Sequence, residues 1–223
     1  MNNKRAKDGL VMALAWPETL CKQTGAWYEP LMKAINFNKD GFYKVGHAAV
    51  VLIPFDTGIC DYYDFGRYHA PVGHGRVRNK LTDHDLIIQT KAQFDADFNL
   101  LNESEILEEL HQNKSCHGDG YILSSIQKTT LTKTYKTIRQ FQEKVFVPYG
   151  PLIWSGTNCS RFVASVLQTT ALTAMQRLAL TIQPTISASP KYNVLALGGN
   201  IRQTGEQFVE DTEEINATKC TTP

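Results

Sequence analysis

The sequence predicts a single α+β domain in which an antiparallel sheet packs against helices. Two neighbouring apolar segments, residues 47–53 and 59–68, enclose the turn sequence PFDTG and indicate a β-hairpin. Residues 103–113 and 132–146 instead carry apolar side chains at helical spacing. A chain of 223 residues is long enough to bury one such core. We therefore expect residues 1–199 to form this domain.

The predicted strands are short apolar segments bounded by turn-forming residues. They comprise residues 9–16, 47–53, 59–68, 85–90 and 120–126. The predicted helices are amphipathic and comprise residues 24–35, 103–113, 132–146 and a stretch from Cys159 to about Leu180. Residues 69–85 predict a polar loop, and prolines and glycines argue against a helix at 147–156. Residues 200–223 contain few apolar side chains and predict a mobile tail.

The composition argues against several classes of partner. Because 23 Lys and Arg balance 22 Asp and Glu, bulk charge gives no basis for binding nucleic acid. No segment approaches the ~20 apolar residues that span a bilayer. The five cysteines form no CxxC pair, which favours a reducing, cytoplasmic location. Basic residues before the short apolar run at 9–16 leave a secretory signal as the less favoured alternative.

One cysteine lies where a polar loop gives way to a helix. In the sequence SGTNCSRFVASVL, Cys159 follows turn-forming residues and precedes apolar side chains at helical spacing. A helix N-terminus stabilises a thiolate through its N–H groups and its dipole, and the cysteine N–H can also face an oxyanion. His47 begins the predicted strand HAAVVLI and is the candidate base for this thiol.

The order of these motifs resembles that of a known superfamily. VGHAAVVLI, followed by a hairpin and later by TNCSRFV, is similar to the circularly permuted papain-like hydrolases, which include permuted NlpC-type amidases and lecithin-retinol-acyltransferase-like proteins. Within that group, YYDFGRYHAPVGHGRVR looks like a bacterial family of unknown function. The resemblance covers residues 9–170 and implies a permuted papain-like fold, with Cys159 as nucleophile and His47 as general base.

The resemblance also implies a reaction and a substrate class. It implies hydrolysis or acyl transfer through an acyl-cysteine, without metal or cofactor. A peptide amide, derived from a cell wall, is the implied substrate, and lipid acyl esters are the alternative. Since fold does not settle function, a non-catalytic module that binds an anionic peptide or a partner is the second hypothesis.

The third position of the family is a polar residue on the strand after the histidine strand, and hairpin geometry selects a candidate. If residues 55 and 58 close the turn, His47 lies opposite Gly66. Asp64 then lies on the same face within diagonal reach, where a carboxylate would orient the imidazole. The alternatives are Arg67 or Tyr63, if the strand contains a one-residue bulge, and His69.

A basic cluster follows this hairpin. Arg67, Arg76 and Arg78 could form a carboxylate-binding rim of the cleft, because a guanidinium matches a carboxylate with two parallel hydrogen bonds. The structural alternatives for these arginines are a solvated loop or pairing with the protein carboxylates Asp61, Asp64 and Asp83. Tyr149 and Asn158, in the segment that leads to the cysteine, complete the predicted substrate-binding residues.

A second cluster of metal-ligating residue types lies in SCHGDG. Cys116, His117 and Asp119 are closely spaced and lack the separated ligand pairs of a zinc site. We therefore expect a glycine-rich turn here and no metal centre.

Overall fold

The described residues form a seven-stranded antiparallel sheet with helices on both faces. The computed structural model describes residues 7–22, 42–116, 118–170, 172–182, 189–198 and 200–205. The strands are β1 (Gly9–Trp16), β2 (Leu20–Lys22), β3 (Phe42–Lys44), β4 (His47–Pro54), β5 (Asp61–Gly66), β6 (His74–Arg78), β7 (Ile122–Thr129), β8 (Val147–Pro148) and β9 (Arg202–Thr204). The helices are α1 (Glu103–Gln112), α2 (Leu131–Glu143), α3 (Cys159–Leu167), α4 (Ala174–Thr181) and α5 (Pro190–Leu197).

Within the described residues, seven strands form the main sheet in the order β8-β6-β5-β4-β1-β7-β9, and β2 pairs with β3 separately. The central strands β1 and β4 are apolar on both faces because each face is covered by helices. On one face, Val11 and Val50 pack with Phe162 of α3 and Val194 of α5. On the opposite face, alternate residues such as Val51 pack against α1. The predicted α+β class is therefore correct.

The register of the hairpin β4–β5 is the one that the sequence predicts. Ala49 pairs with Asp64, and the pairing continues to Leu52 and Asp61. Side chains alternate between the faces of a strand, so His47 and Asp64 belong to the same face of the sheet. The first strand and the two predicted helices at 103–113 and 132–146 are also present, the second ending at Glu143.

Helix α3 begins at Cys159 because Asn158 caps it. The side-chain oxygen of Asn158 accepts a hydrogen bond from the Arg161 N–H at 2.8 Å. The Arg161 guanidinium in turn donates to the carbonyl oxygens of Gly150 and Ile153 at 3.4 and 3.0 Å. The loop before the cysteine is thereby fixed to the first turn of the helix.

Two predictions about secondary structure are wrong. Residues 69–85 are not only a loop, because β6 pairs there with β5, burying Val77 and placing Gly75 against the ring of Phe65. Residues 85–90 are not a strand. The N–H groups of Gln89 and Thr90 donate instead to the Glu109 carboxylate, at 2.6 and 2.8 Å, after a short 3₁₀ turn at 84–86.

The segment predicted as a tail contributes to the sheet. Residues 202–204 form β9 and pair with β7, and Arg202 donates to Glu103 of α1 at 2.8 Å. Residues 206–223 and the helix predicted at 24–35 lie outside the described residues.

Candidate functional site

The three residues predicted as catalytic lie together at one end of the sheet. Cys159 is the first residue of α3, and His47 is the first residue of β4. The imidazole of His47 and the Cys159 thiol are neighbours, and each shifts the pKa of the other. Its Nε2 lies 3.0 Å from Oδ2 of Asp64. With Nε2 engaged by the carboxylate, Nδ1 is the ring nitrogen that remains for the thiol.

The Asp64 carboxylate is completely buried, and its two oxygens accept hydrogen bonds from three side chains. Besides His47, the Tyr62 hydroxyl donates to Oδ2 at 3.0 Å. Arg78 of β6 donates with two nitrogens, from Nε to Oδ1 at 2.9 Å and from Nη2 to Oδ2 at 2.5 Å. A carboxylate removed from water needs such donors, because an uncompensated buried charge is strongly unfavourable.

This surrounding sets the charges of the pair His47–Asp64. Burial by itself would lower the pKa of His47, but the hydrogen bonds and negative charges of Asp64 and Cys159 outweigh it and raise the pKa to about 9. Burial likewise acts to raise the pKa of Asp64, and the hydrogen bond from His47 together with the charge of Arg78 lowers it to about 2. The carboxylate is therefore ionised and the imidazole protonated at neutral pH.

Cys159 differs electrostatically from the other two buried cysteines whose surroundings are described. Burial opposes ionisation of Cys159, yet the His47 hydrogen bond and charge, the Ala48 N–H and the Ser160 hydroxyl lower its pKa. For Cys60 and Cys116, burial outweighs the neighbouring groups that favour ionisation and raises the pKa of each thiol to about 12. The thiol of Cys159 is thus easier to ionise than those of the other two.

The competing candidates for the third residue lie elsewhere. Tyr63 belongs to the opposite face of β5, where its ring packs edge-on against Tyr135. The Arg67 guanidinium lies over the ring of Tyr149, 5.2 Å from its centroid. His69 is exposed and has a backbone φ of 50° in the loop after β5. Asp64 is therefore the candidate that the structure brings to His47.

The arginines predicted to bind a substrate carboxylate have different surroundings. Arg78 pairs with Asp64, and Arg76 pairs with Asp83 through Nη1 and Nη2 at 2.9 and 2.8 Å. Arg76 and Arg78 therefore pair with carboxylates of the protein, which was the alternative to binding a substrate carboxylate. Arg67 remains at the Tyr149 ring on the segment that leads to α3.

Four groups at the site were not singled out by the sequence analysis. Tyr62 donates to Asp64, the Trp16 ring lies 5.7 Å from the His47 ring, and the Ala48 N–H and Ser160 hydroxyl face the sulfur. Tyr62 could have been identified, because it lies two residues before Asp64 and so shares its strand face. Trp16 pairs with His47 across strands that are remote in sequence, and no sequence motif indicates that contact.

The segment around Cys116 was considered above as a possible metal site. Cys116 is buried, and His117 lies outside the described residues. Within the described part of the chain, no group of three or more histidine, cysteine or acidic residues is arranged to hold a metal ion.

Comparison with known proteins identifies the family of this chain. Residues 11–175, which include all three residues of the site, match the family described as type VI secretion system effector TseH-like. The chain belongs to this TseH-like family. A crystal structure of the type VI secretion system effector TseH has a similar fold, with a TM-score of 0.55 at 18% identity, covering 86% of this chain and 88% of that chain. No curated protein sequence matches.

The described helices of this TseH-like protein are all too short or too polar to cross a bilayer.

Proposed function

We propose that this TseH-like protein is a thiol hydrolase of the permuted papain-like type that cleaves an amide bond through an acyl intermediate on Cys159. One observation carries the proposal. His47 lies between Cys159 and Asp64, so that a protonated imidazole is held between a thiol of lowered pKa and an ionised carboxylate. This is the arrangement that thiol-dependent acyl transfer requires: nucleophile, proton carrier and orienting group.

In the acylation step, the Cys159 thiolate attacks the carbonyl carbon of the amide and forms a C–S bond. The displaced electron pair moves to the carbonyl oxygen. The Cys159 N–H can donate to that oxyanion, because N–H groups in the first turn of a helix have no intrahelical acceptor. The C–N bond then breaks as His47 gives its proton to the leaving nitrogen, which leaves an acyl-cysteine and a free amine.

In the deacylation step, neutral His47 accepts a proton from a water molecule while the water oxygen attacks the acyl carbon. The C–S bond breaks, the carboxylic acid leaves, and the thiolate and imidazolium are restored. Asp64 holds the imidazole orientation through Nε2 in both steps and stabilises its charged form. Each turnover therefore consumes one water molecule, in the deacylation step.

We further propose that the substrate is a peptide amide of the cell-wall type. The superfamily resemblance supports amidase or peptidase chemistry, and the family description supports a role as an effector of a secretion system. An effector that hydrolyses cell-wall peptides would act outside the cell that makes it, so the expected cytoplasmic location would apply to the protein before export. Arg67 and Tyr149 are the proposed residues of the substrate rim, since their side chains stack beside the segment leading to α3.

One observation favours the second candidate, a binding module without catalysis. Cys159 and His47 are only 6% and 5% exposed, so that little of the pair faces solvent. In that case the charged triad would serve to stabilise the fold, and ligands would bind at the rim.

The test uses peptide fragments released from bacterial cell walls, with products separated and identified by mass spectrometry. The proposed function predicts cleavage by the wild-type protein, loss of cleavage in Cys159→Ala and His47→Ala, and retained cleavage in the matched cysteine variant Cys60→Ala. A mass increase on Cys159 after denaturation of the reacting mixture identifies the acyl-enzyme. If the wild-type protein binds these peptides but gives neither cleavage nor an adduct, the protein is a binding module without catalysis.

A further inference from the structure

The pair Arg78–Asp64 lies behind the proposed catalytic histidine and is isolated from solvent. The side chains of Arg78 and Asp64 are 3% and 0% exposed. Both nitrogens that Arg78 directs at Asp64 donate within 2.9 Å, and the guanidinium carbon lies 3.9 Å from the centroid of the Tyr68 ring. The guanidinium is therefore held from two sides, by a carboxylate and by an aromatic face.

We infer that Arg78 is a positioning residue of the catalytic centre, which keeps Asp64 ionised and thereby holds Cys159 as a thiolate at neutral pH. The inference rests on the proposed function and assigns Arg78 a role there in place of binding a substrate carboxylate. Arg78 contacts Asp64, and Asp64 contacts His47, so Arg78 acts on the thiol through two intermediate side chains.

The side chains of Arg78, His47, Asp64 and Cys159 form a buried cluster of ionisable groups. With Arg78 present, two cations, Arg78 and protonated His47, balance two anions, Asp64 and the Cys159 thiolate. Without Arg78 the same protonation state carries one uncompensated negative charge away from water, which is strongly unfavourable. The cluster then takes up a proton, either at Asp64 or at the sulfur, and both outcomes move thiolate formation to higher pH.

The neighbouring titratable groups leave Arg78 as the main source of this compensation. Tyr62 is neutral, since burial raises its pKa well above its ordinary value. Cys116 is neutral for the same reason. Several charged and titratable groups face Asp64 or Arg78, and Cys159 of α3 faces His47. Those that face Asp64 or Arg78 are His47, Tyr62, Tyr68, Asp83 and Cys116. Among them, His47 is the other cation.

Strand β6 offers a matched control. Arg76 lies two residues before Arg78 and also forms two hydrogen bonds with an aspartate, Asp83. Its carboxylate partner does not contact His47, and both side chains of this pair are partly exposed, 15% and 18%. Loss of Arg76 therefore removes a comparable ion pair from the same strand without changing the charge next to the histidine.

The experiment measures the rate of carbamidomethylation of Cys159 by iodoacetamide between pH 4 and pH 10, followed by peptide mass spectrometry. In the wild-type protein the rate rises at a pH below that of an ordinary cysteine. In Arg78→Met the midpoint moves up by about one pH unit, the low end of the effect of a charge on a neighbouring group. In Arg76→Met the midpoint stays at the wild-type value.

Conservative variants separate charge from structure. Arg78→Lys retains the positive charge and restores the midpoint toward the wild-type value, whereas a role limited to hydrogen bonding predicts the same rescue by the uncharged donor in Arg78→Gln. Arg78→Gln retains a hydrogen-bond donor for Asp64 and replaces Arg78→Met if that variant does not fold. An unmoved midpoint in the uncharged variant, or the same shift in Arg76→Met, overturns the inference.

The same data distinguish failure of the inference from failure of the proposed function. A wild-type Cys159 that ionises only at the pH of an ordinary thiol contradicts the proposed function itself. A low wild-type midpoint that is insensitive to Arg78 leaves the proposed function intact and contradicts the inference alone.

Discussion

Replacing Asp64 by asparagine is expected to lower the pKa of His47 from about 9 toward its ordinary value of 6.5. Asparagine has nearly the same shape as aspartate but lacks its charge. Without the carboxylate, burial lowers the pKa of His47 and the unpaired cation of Arg78 acts in the same direction, while Cys159 remains to raise it. A change of this size corresponds to about 3 kcal/mol in favour of the neutral ring.

The size of this change in the His47 pKa decides whether the imidazole is charged at pH 7. An imidazole with a pKa of about 9 is about 99% protonated there, whereas one with a pKa of 6.5 is about one-quarter protonated. The Asp64→Asn variant therefore loses most of its imidazolium at neutral pH. In the proposed reaction the leaving nitrogen takes its proton from His47, so the alkaline limit of hydrolysis is expected to move from about pH 9 toward pH 6.5.

The assay is an NMR titration of the histidine ring protons, in which the His47 signal is assigned by its absence in His47→Gln. Asp83→Asn is the control, since it removes a carboxylate that binds Arg76 and does not contact His47. A His47 signal that titrates near pH 9 in Asp64→Asn, or at or below 6.5 in the wild-type protein, would refute the reasoning.

The raised pKa also has a consequence for stability. Since the folded pKa of His47 lies above its unfolded value, its ion pair contributes stability that is complete below pH 6.5 and is lost as the pH rises through about 9. Urea unfolding of the wild-type protein at pH 6 and pH 9.5 should show this loss, and Asp64→Asn should show a smaller change between the same two values.

Three further predictions concern the thiol, the helix cap and the core. Iodoacetamide at pH 7 should label Cys159 far faster than Cys60 and Cys116, whose pKa values are about 12, and equal rates for the three would contradict the charge assignment. Asn158→Ala should lower the free energy of unfolding by about 1 kcal/mol, because the N-cap of α3 is lost. Asn158→Ser should retain most of the wild-type stability, because serine can also cap a helix, and an unchanged urea midpoint in Asn158→Ala would exclude a capping role. Phe162→Ala should cost about 3–5 kcal/mol in the same measurement, since the ring is fully buried and contacts other rings, and a loss below 1 kcal/mol would be inconsistent with that packing.

Local sequence patterns identified the elements that carry the site. His47 begins a strand that is apolar on both faces, and Cys159 follows a turn and an N-cap residue, so both positions could be assigned from neighbouring residues. The hairpin then fixed Asp64, because side chains alternate along a strand and the turn sets the register. These inferences succeed because each depends on contacts between residues close in sequence.

The predictions that failed depend on contacts between distant residues. The segment containing β6 reads as a loop, with its glycines and histidines, and becomes a strand because β5 presents a free edge and Val77 reaches the core. The apolar residues at 85–90 read as a strand, but the Glu109 carboxylate of α1 binds the backbone N–H groups that a strand would have offered. Secondary structure at these positions follows the tertiary partner.

By itself, the sequence determined that a cysteine begins a helix and a histidine begins a central strand, because capping residues and apolar periodicity act over a few residues. Only the tertiary structure decided the state of charge at the site. The guanidinium of Arg78 could equally have faced solvent or a ligand, and its place beside Asp64 follows from the pairing of β6 with β5. Since the energy of a buried charge depends on which opposite charge lies beside it, the pKa values of the triad are a property of the fold.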